Sequence, residues 1–359
     1  MLTLKRLTRW LVLSVLTAGL VIGCGFLVSN NLAENPVVDS SDCRTVKHDL
    51  GEAKVCGQPQ KIAVLSGHAL DLLLSLDVQP AGYVGPLSIY QGKVFDNPAL
   101  QIPYLGTRIA SQPVHLGMGR EPSLEKLLAL KPDLILGEGR NADEYDLLAK
   151  ISPTLLWRNR TAKGQWQKNL RAIAEALGQE KKAEVAIARY ESRIANARSD
   201  FADVVAAHPK LLLLGASRLG MGVYAIRSES YLGELLEGIG FQVLSAPSSE
   251  LTPSTPVSLE ALPDLDDADT IIILGYNLDD SDGLEIPDSS TEESISDRVE
   301  KHQTRTIQQD WEENAIAQSL TASKEGRVYF ATYAKWNGLN GPIGAELVLE
   351  QLREFLLDN

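Results

Sequence analysis

Short apolar runs alternate with segments of helical spacing through most of the chain. The runs at 62–65, 81–84, 134–136 and 154–157 each have the length of a buried strand. Leucines recur at helical spacing between some of these runs, as at Leu70, Leu73 and Leu74. Strands that alternate with helices predict parallel sheet and an α/β fold.

A long helical pattern separates two regions of this kind. Residues 179–205 contain neither Pro nor Gly, and an apolar stripe runs through Val185, Ala188, Ile194, Ala197, Phe201 and Val204. A helix of that length spans roughly 40 Å, so it can lie along two domains and tie them rigidly. After His208-Pro209 the alternation restarts, with strands predicted at 211–214, 222–225, 241–244, 270–274 and 328–330 and a closing helix at about 343–356.

The two regions share a motif. Ser123-Leu124-Glu125 in the first and Ser258-Leu259-Glu260 in the second are each followed by an Asp and by an apolar run that ends at Gly. In each motif we expect the Ser to cap a helix and the Asp to precede a buried strand. The repetition predicts two lobes of one design, and two unrelated strand-helix-strand units are the alternative.

The first residues are typical of an export signal. A basic start (Lys5, Arg6, Arg9) precedes an apolar stretch that ends at Cys24. Val21-Ile22-Gly23-Cys24 resembles a bacterial lipobox, which predicts lipidation at Cys24 and a stable anchor. An uncleaved signal anchor is the alternative, because the apolar run continues to residue 28. We therefore expect a lipoprotein signal peptide at 1–24 and a flexible polar tether at 25–42.

The cysteine count agrees with export. If Cys24 carries lipid, Cys43 and Cys56 remain as an even pair, which suits an oxidising compartment. The prediction is a Cys43–Cys56 disulfide that closes a small hairpin-like loop, with two free thiols as the alternative.

Composition excludes several classes of protein. The 359 residues include 44% hydrophobic and 23% charged residues, which is globular, and the net charge of −13 argues against nucleic acid as a partner. A single long apolar run excludes a multi-span membrane protein. The run Gly215-Ala216-Ser217-Arg218-Leu219-Gly220 is one residue too long for a nucleophile elbow, and the chain has no phosphate loop and no His-Glu-x-x-His, so an enzyme is disfavoured.

In their order along 43–359, several weak motifs together resemble the substrate-binding lipoproteins of ABC importers for iron–siderophores, and more broadly their cobalamin- and haem-binding members. The carriers are Cys43-Arg44-Thr45-Val46-Lys47-His48, Pro59-Gln60-Lys61-Ile62-Ala63-Val64-Leu65, the Glu121-Pro122-Ser123-Leu124-Glu125 run with Lys131-Pro132-Asp133-Leu134-Ile135-Leu136-Gly137, and Gly326-Arg327-Val328-Tyr329 with Trp336 and Gly341-Pro342.

The resemblance implies the class III periplasmic binding protein fold, with two Rossmann-like lobes that contain parallel sheets and are joined by one long rigid helix. The expected parts are an N-terminal lobe at 43–162, linker helices at 163–207 and a C-terminal lobe at 208–359. The implied protein is a monomer without a cofactor or a protein-bound metal, lipid-anchored in the periplasm or at the outer face of the cytoplasmic membrane. Its implied partners are a permease and an ATPase.

The resemblance also assigns Glu125 and Glu260 to docking on the permease, one on each lobe. The alternative is that each is an ordinary first-turn glutamate, favoured by the helix dipole.

A ferric siderophore is bulky, often anionic and already saturates its iron with oxygen ligands. Its binding protein needs Arg and aromatic side chains, which we look for beyond the carboxyl ends of the strands. The candidates are Ser66, His68, Tyr83, Tyr90, Arg108, Arg120, Arg140, Arg218, Tyr224, Arg227, Tyr276, Tyr333 and Trp336. The alternatives are solvated arginines, a His68 that caps its helix or stays solvated, and a Trp336 packed on the closing helix. The acidic segment 279–300 is interpreted as a mobile surface insertion near the cleft rim.

The predicted function is capture of a ferric siderophore of hydroxamate or citrate-hydroxamate type in the cleft between the lobes, and its delivery to the permease. Binding of cobalamin or haem is the main alternative. A binding protein for free zinc or manganese is less favoured, because the five histidines form no His-rich loop.

Overall fold

The computed structural model of the protein describes residues 42–85, 95, 97–118, 121–245, 257–276 and 294–358. The predicted signal peptide, Cys24 and almost all of the predicted tether lie outside these ranges, as do Tyr90 and Arg120. Residues Cys43–Asn359 form one compact unit. Within the described ranges, no helix is long and apolar enough to cross a bilayer.

The described part opens with a two-stranded antiparallel hairpin. Strand β1 (Cys43–His48) pairs with β2 (Gly51–Cys56), and Cys43 lies opposite Cys56 in the register. The two cysteines form a disulfide, which confirms the predicted pairing. Val46 and Val55 are buried, so the hairpin packs one face onto the body.

The first sheet has six strands in the order β6-β5-β4-β3-β7-β8. Its strands are β3 (Ile62–Val64), β4 (Gly82–Gly85), β5 (Val114–Met118), β6 (Glu121–Pro122), β7 (Leu134–Glu138) and β8 (Thr154–Trp157), all parallel except for β6. The helices of this region are α1 (Gly67–Ser75), α2 (Pro98–Gln101), α3 (Leu124–Leu130) and α4 (Tyr145–Ile151). Sequence analysis missed β5, because His115 and Gly117 interrupt its apolar run.

The helices between the sheets differ in detail from the prediction. Helix α5 (Gln165–Leu177) ends at Gly178, whose positive φ of 64° suits glycine. The predicted long helix is α6 (Glu180–Asp200), and it stops at Phe201 before the short α7 (Ala202–Ala207). The predicted apolar stripe was partly wrong, because Val185 is 50% exposed while small alanines carry the packing. The buried residues of α6 are Ala183, Ala186, Ile187, Tyr190 and Ala197.

The second sheet has the order β10-β9-β12-β13, with β11 also paired to β9. Its strands are β9 (Lys210–Ala216), β10 (Tyr224–Ala225), β11 (Gln242–Val243), β12 (Thr270–Gly275) and β13 (Val328–Thr332), parallel except for β10. The helices are α8 (Tyr231–Ile239), α9 (Ile295–Glu312), α10 (Ala315–Ser319), α11 (Thr321–Lys324), α12 (Tyr333–Gly338) and α13 (Pro342–Leu356).

Two local predictions in the second half need correction. The acidic segment 279–300 is not wholly an insertion, because α9 begins at Ile295, capped by Ser294, which accepts from the Asp297 amide at 3.2 Å. The rest of that segment lies outside the described residues. Ser123 caps α3, as predicted, whereas Ser258 makes no side-chain cap and precedes a 3-10 helix (Leu259–Leu265) that contains Pro263.

A buried carboxylate joins the first region to the closing helix. Asp71 of α1 accepts from the backbone amides of Ile343 at 3.0 Å and Gly344 at 2.8 Å, in the first turn of α13. A Cβ on Gly341 would lie 2.6 Å from the Asp71 carboxyl group, so glycine is required for this approach. The first and last helices of the body are therefore fixed to each other.

Candidate functional site

A large cavity lies between the two sheets, at the carboxyl ends of their strands. Its volume is about 880 Å³. The segment after β8 contributes Asn159, Thr161 and Ala162, and the second region contributes the other side: Gly215, Tyr224, Ala225, Ile226, Arg227, Glu229, Ser230, Tyr276, Tyr333 and Asn337. The predicted cleft therefore exists, and both halves line it.

Three tyrosines dominate the second half of the cleft. Tyr224 lies in β10, while Tyr276 and Tyr333 directly follow β12 and β13. The rings of Tyr276 and Tyr333 meet edge to face, with centroids 5.7 Å apart. Burial, followed by the neighbouring Tyr224, raises the pKa of Tyr276 above its usual value. The Tyr276 phenol therefore stays protonated at neutral pH, and its hydroxyl is hydrogen-bonded to the Tyr224 side chain and the Ser217 backbone.

The wall from the first half carries charged side chains. Glu138 ends β7 and is only 5% exposed. Its carboxylate forms ion pairs with Arg140, whose Nε lies 2.9 Å away, and with Arg160, whose Nε lies 2.5 Å away. These three residues border two smaller cavities of about 200 and 310 Å³. The 200 Å³ cavity shares Tyr333 with the main cavity, and the 310 Å³ cavity shares Asn159 and Thr161 with it.

Arg160 is a site residue that sequence analysis missed. It follows β8, so the position beyond the carboxyl end of a strand, which indicated the other candidates, also indicates Arg160. Arg160 Nη1 donates to the Asn337 carbonyl at 2.5 Å and also contacts Asn340 Oδ1. The residue thus links the first-lobe wall to α12 and the segment that follows it.

Seven of the predicted site residues lie on these walls. Tyr224, Arg227, Tyr276 and Tyr333 line the main cavity, and Ser66, Tyr83 and Arg140 line the 200 Å³ cavity. Ser66 also caps α1, where its hydroxyl accepts from the Ala69 amide at 3.1 Å. Arg227 lies 3.6 Å from Glu229, and both side chains are largely exposed, so the two charges interact only weakly.

His68 was wrongly placed in the cleft. It is fully buried, its Nδ1 donates to the Leu339 carbonyl at 2.7 Å, and its Nε2 accepts from Asn169 Nδ2 at 3.1 Å. Burial, reinforced by the Arg160 charge, lowers the pKa of His68 to about 4. Because both ring nitrogens are occupied inside the protein, His68 positions α1 and does not face a ligand.

Trp336 was also wrongly placed in the cleft. It is fully buried, its Nε1 donates to Gln351 Oε1 at 2.7 Å, and its ring stacks on Phe355. Gln351 and Phe355 belong to α13, so Trp336 packs on the closing helix, which was the alternative reading. Tyr333 and Asn337, in the same short helix, line the cavity.

Two predicted arginines are engaged away from the cavity walls. Arg108 binds Glu346 at 2.6 Å, and Glu346 also binds Arg193 of α6 at 2.7 Å. Arg218 lies 3.5 Å from Asp310 of α9. Neither arginine lines the cavities described above, because each pairs with a carboxylate on a neighbouring helix.

The two candidate docking glutamates are exposed. Glu125 is in the first turn of α3 and Glu260 in the first turn of the 3-10 helix. Among the described residues, no group of three or more His, Cys, Asp or Glu side chains is placed to hold a metal ion.

Residues 62–333 match the family described as periplasmic binding protein. The chain belongs to the periplasmic binding protein family. Members of this family bind solutes and are not enzymes.

Two relatives match most of the chain. The probable siderophore-binding lipoprotein YfiY of Bacillus subtilis is 25% identical over 340 residues, which is 92% of each chain. The Fe(3+) dicitrate-binding periplasmic protein FecB of Escherichia coli is 26% identical over 319 residues, or 87% of this chain and 90% of the relative.

The fold is that of class III periplasmic binding proteins. The crystal structure of Staphylococcus aureus SirA complexed with staphyloferrin B matches with a TM-score of 0.64, 24% identity and coverage of 87% of this chain and 98% of that one. The petrobactin-binding protein YclQ of Bacillus subtilis matches with a TM-score of 0.64, 22% identity and coverage of 88% and 99%. These matches confirm the fold class predicted from the sequence.

Proposed function

We propose that the protein reversibly binds a ferric siderophore in the cleft and delivers it to an ABC importer. The observation that carries this proposal is the cavity of about 880 Å³, lined by three tyrosines and Arg227 and continuous with an arginine-bearing wall. Its volume is in the range of sites for sizeable organic ligands. The names of relatives that match most of the chain refer to siderophores and iron(III) dicitrate, which supports the same ligand class.

The chemistry of the lining suits a chelate whose iron is already coordinated. Oxygen atoms at the surface of such a complex accept hydrogen bonds from Tyr and Arg donors, while the rings cover the apolar arms. We propose a ligand of hydroxamate or citrate-hydroxamate type, because the described walls combine neutral phenols with few uncompensated charges. The protein then supplies no ligand to the metal.

The contacts between the lobes favour small movements on binding. Helix α6 and the Asp71 contacts with α13 hold the two halves at one side of the cleft. A ligand that touches Arg140 on one wall and Tyr276 on the other has more contacts in the closed form. It therefore shifts the population toward closure by its difference in affinity for the two forms.

Delivery is proposed to occur at the outer face of the cytoplasmic membrane. Cys24 is the proposed lipid attachment site and residues 25–42 the tether. Relatives of this chain include named lipoproteins. Glu125 and Glu260 are the proposed contacts with the permease, one from each half.

A double variant separates docking from ligand binding. We expect Glu125→Ala with Glu260→Ala to leave the Kd for the ferric siderophore unchanged, because both side chains are exposed and outside the cavities. Uptake of ⁵⁵Fe-siderophore by cells should fall several-fold, since paired charges of this kind set orientation and encounter rate. The control is Glu180→Ala with Glu191→Ala on α6, which should leave uptake intact. A large drop in affinity in the docking variant would contradict the assignment.

Isothermal titration calorimetry on the full-length chain in mild detergent tests the proposed function. The ligands are a ferric citrate-hydroxamate, an uncharged ferric trihydroxamate, cobalamin, haem and ferric chloride in a weak chelator. We expect saturable binding of one ferric siderophore per chain, and none of free iron, because the described residues offer no metal site. Binding of cobalamin or haem alone would reject the proposal.

A further inference from the structure

Glu138 partly neutralises the positive charge of the cavity wall that the first half of the chain contributes. Its carboxylate holds the Nε edges of both Arg140 and Arg160, and it is almost completely buried. Arg160 is further held by the Asn337 carbonyl and Asn340 and is only 14% exposed. Arg140 is 35% exposed, and no described residue accepts from its two terminal nitrogens. The cluster therefore presents one net positive charge to the cleft, through one guanidinium edge.

The backbone places the three side chains of this cluster next to one another. Glu138 is the last residue of β7, and the 3-10 turn Gly139–Asn141 puts Arg140 on the same edge of the sheet. A Cβ on Gly139 would lie 2.8 Å from the Arg158 carbonyl oxygen, so glycine lets the segment after β8 approach. This close approach brings Arg160 to the other oxygen of Glu138.

We infer that Glu138 is a specificity-determining residue that limits the negative charge of the ligand. The inference rests on the proposed function and refines its ligand class. The charged residues that line the three cavities are four arginines and two glutamates, a net charge of +2 in the described part of the cleft. Such a lining balances a ferric complex with one or two exposed carboxylates, and it disfavours a more highly charged anion, whose further charges meet Glu138 and Glu229.

The test compares two probes, an uncharged ferric trihydroxamate and ferric dicitrate, which is a multiply charged anion. The variants are Glu138→Gln and Arg140→Gln in the full-length chain, and the quantity is the ratio of the two dissociation constants. Glu138→Gln should favour ferric dicitrate over the trihydroxamate by about tenfold, since a nearby buried charge is removed. Arg140→Gln should shift the ratio in the opposite direction. The Arg140→Gln shift should shrink at high salt, because this side chain is partly exposed.

Controls separate specificity from folding. Glu191→Gln on the exposed face of α6 makes the same change in net charge and should leave the ratio unchanged. Glu138→Asp keeps the charge and should retain the wild-type preference. If Glu138→Gln fails to fold, as judged by thermal unfolding, Arg140→Gln decides the question alone, because that side chain is more exposed and leaves Glu138 paired with Arg160.

The outcomes distinguish this inference from the proposed function. If the wild-type protein binds neither ferric complex, the proposed function fails and the inference with it. If the wild-type protein binds and both variants weaken the two probes equally, Glu138 is only a structural residue and the inference is overturned. A ratio that moves in the same direction in both variants also overturns it.

Discussion

Replacing Trp336 with alanine is expected to lower the free energy of unfolding by about 3–5 kcal/mol. The side chain is fully buried, stacks on Phe355 and donates to Gln351, so the variant loses apolar contacts and leaves a buried acceptor without its donor. Urea unfolding followed by circular dichroism measures this change. Trp336→Phe should cost less, because it keeps most of the ring.

Tyr333→Ala is the matched control for Trp336, since it lies three residues earlier in the same short helix but faces the cavity. It should cost less stability than Trp336→Ala and weaken ligand binding more. If Trp336→Ala left stability unchanged and abolished binding, its place in the core would be wrong and the cleft placement right after all.

The second large effect is a loss of stability in acid that is caused by His68. Burial and the Arg160 charge lower the pKa of His68 to about 4, from 6.5. Its ring is therefore neutral in the folded protein at pH values where it is protonated in the unfolded chain. The contribution of the neutral His68 ring to the free energy of unfolding is fully present above pH 6.5. It is lost as the pH falls toward 4, by about 3 kcal/mol in all.

His68→Gln isolates this effect. An amide can donate to the Leu339 carbonyl and accept from Asn169, as the neutral ring does, but it does not titrate. We expect the variant to resemble the wild-type protein near pH 7. As the pH is lowered from 6.5 to 4, the free energy of unfolding of the variant should rise by about 3 kcal/mol relative to that of the wild-type protein, measured by urea unfolding at each pH.

Asp71→Asn gives a contrast of opposite sign. Burial raises the pKa of Asp71 to about 6, from 3.8. The folded protein therefore binds a proton that the unfolded chain lacks between these values, and Asp71 adds stability as the pH falls through 6. Asp71→Asn lacks this gain, so the stability of the variant relative to the wild-type protein should fall as the pH is lowered from about 6 toward 4. Equal pH profiles for the wild-type protein, His68→Gln and Asp71→Asn would contradict both assignments.

The strands that sequence analysis placed best are uninterrupted apolar runs. Strand β8 coincides with the predicted 154–157, because Thr154 to Trp157 are all buried. Strand β5 contains His115 and Gly117 and gave no such run, although it lies inside the sheet. Neighbouring strands decided its structure, and those contacts are not visible in a single sequence.

Sequence position identified the cavity side chains that directly follow a strand. Tyr276 and Tyr333 directly follow β12 and β13, so their place at the sheet edge follows from topology. His68 and Trp336 also come shortly after a strand, but each lies in a helix, which has a buried and an exposed face. Their partners Leu339 and Gln351, which are distant along the chain, hold both side chains in the core. Chain position alone does not reveal which face a side chain takes.

The charge balance of the cleft required the structure. Arg140 and Arg160 are 20 positions apart and share one carboxylate only because the ends of β7 and β8 adjoin. Sequence analysis named Arg140 as a candidate cation, missed Arg160 and paired neither of them with Glu138. The pairing with Glu138 converts the expected cationic cleft into one with a small net charge.

The most direct test of the cleft as the binding site is a crystal structure of the protein grown with its ferric siderophore, with data collected at the iron absorption edge. We predict one anomalous peak inside the 880 Å³ cavity, beside Tyr224, Tyr276 and Tyr333, with no protein atom coordinating the iron. A peak elsewhere on the protein, or iron held by protein carboxylates or imidazoles, would contradict the account.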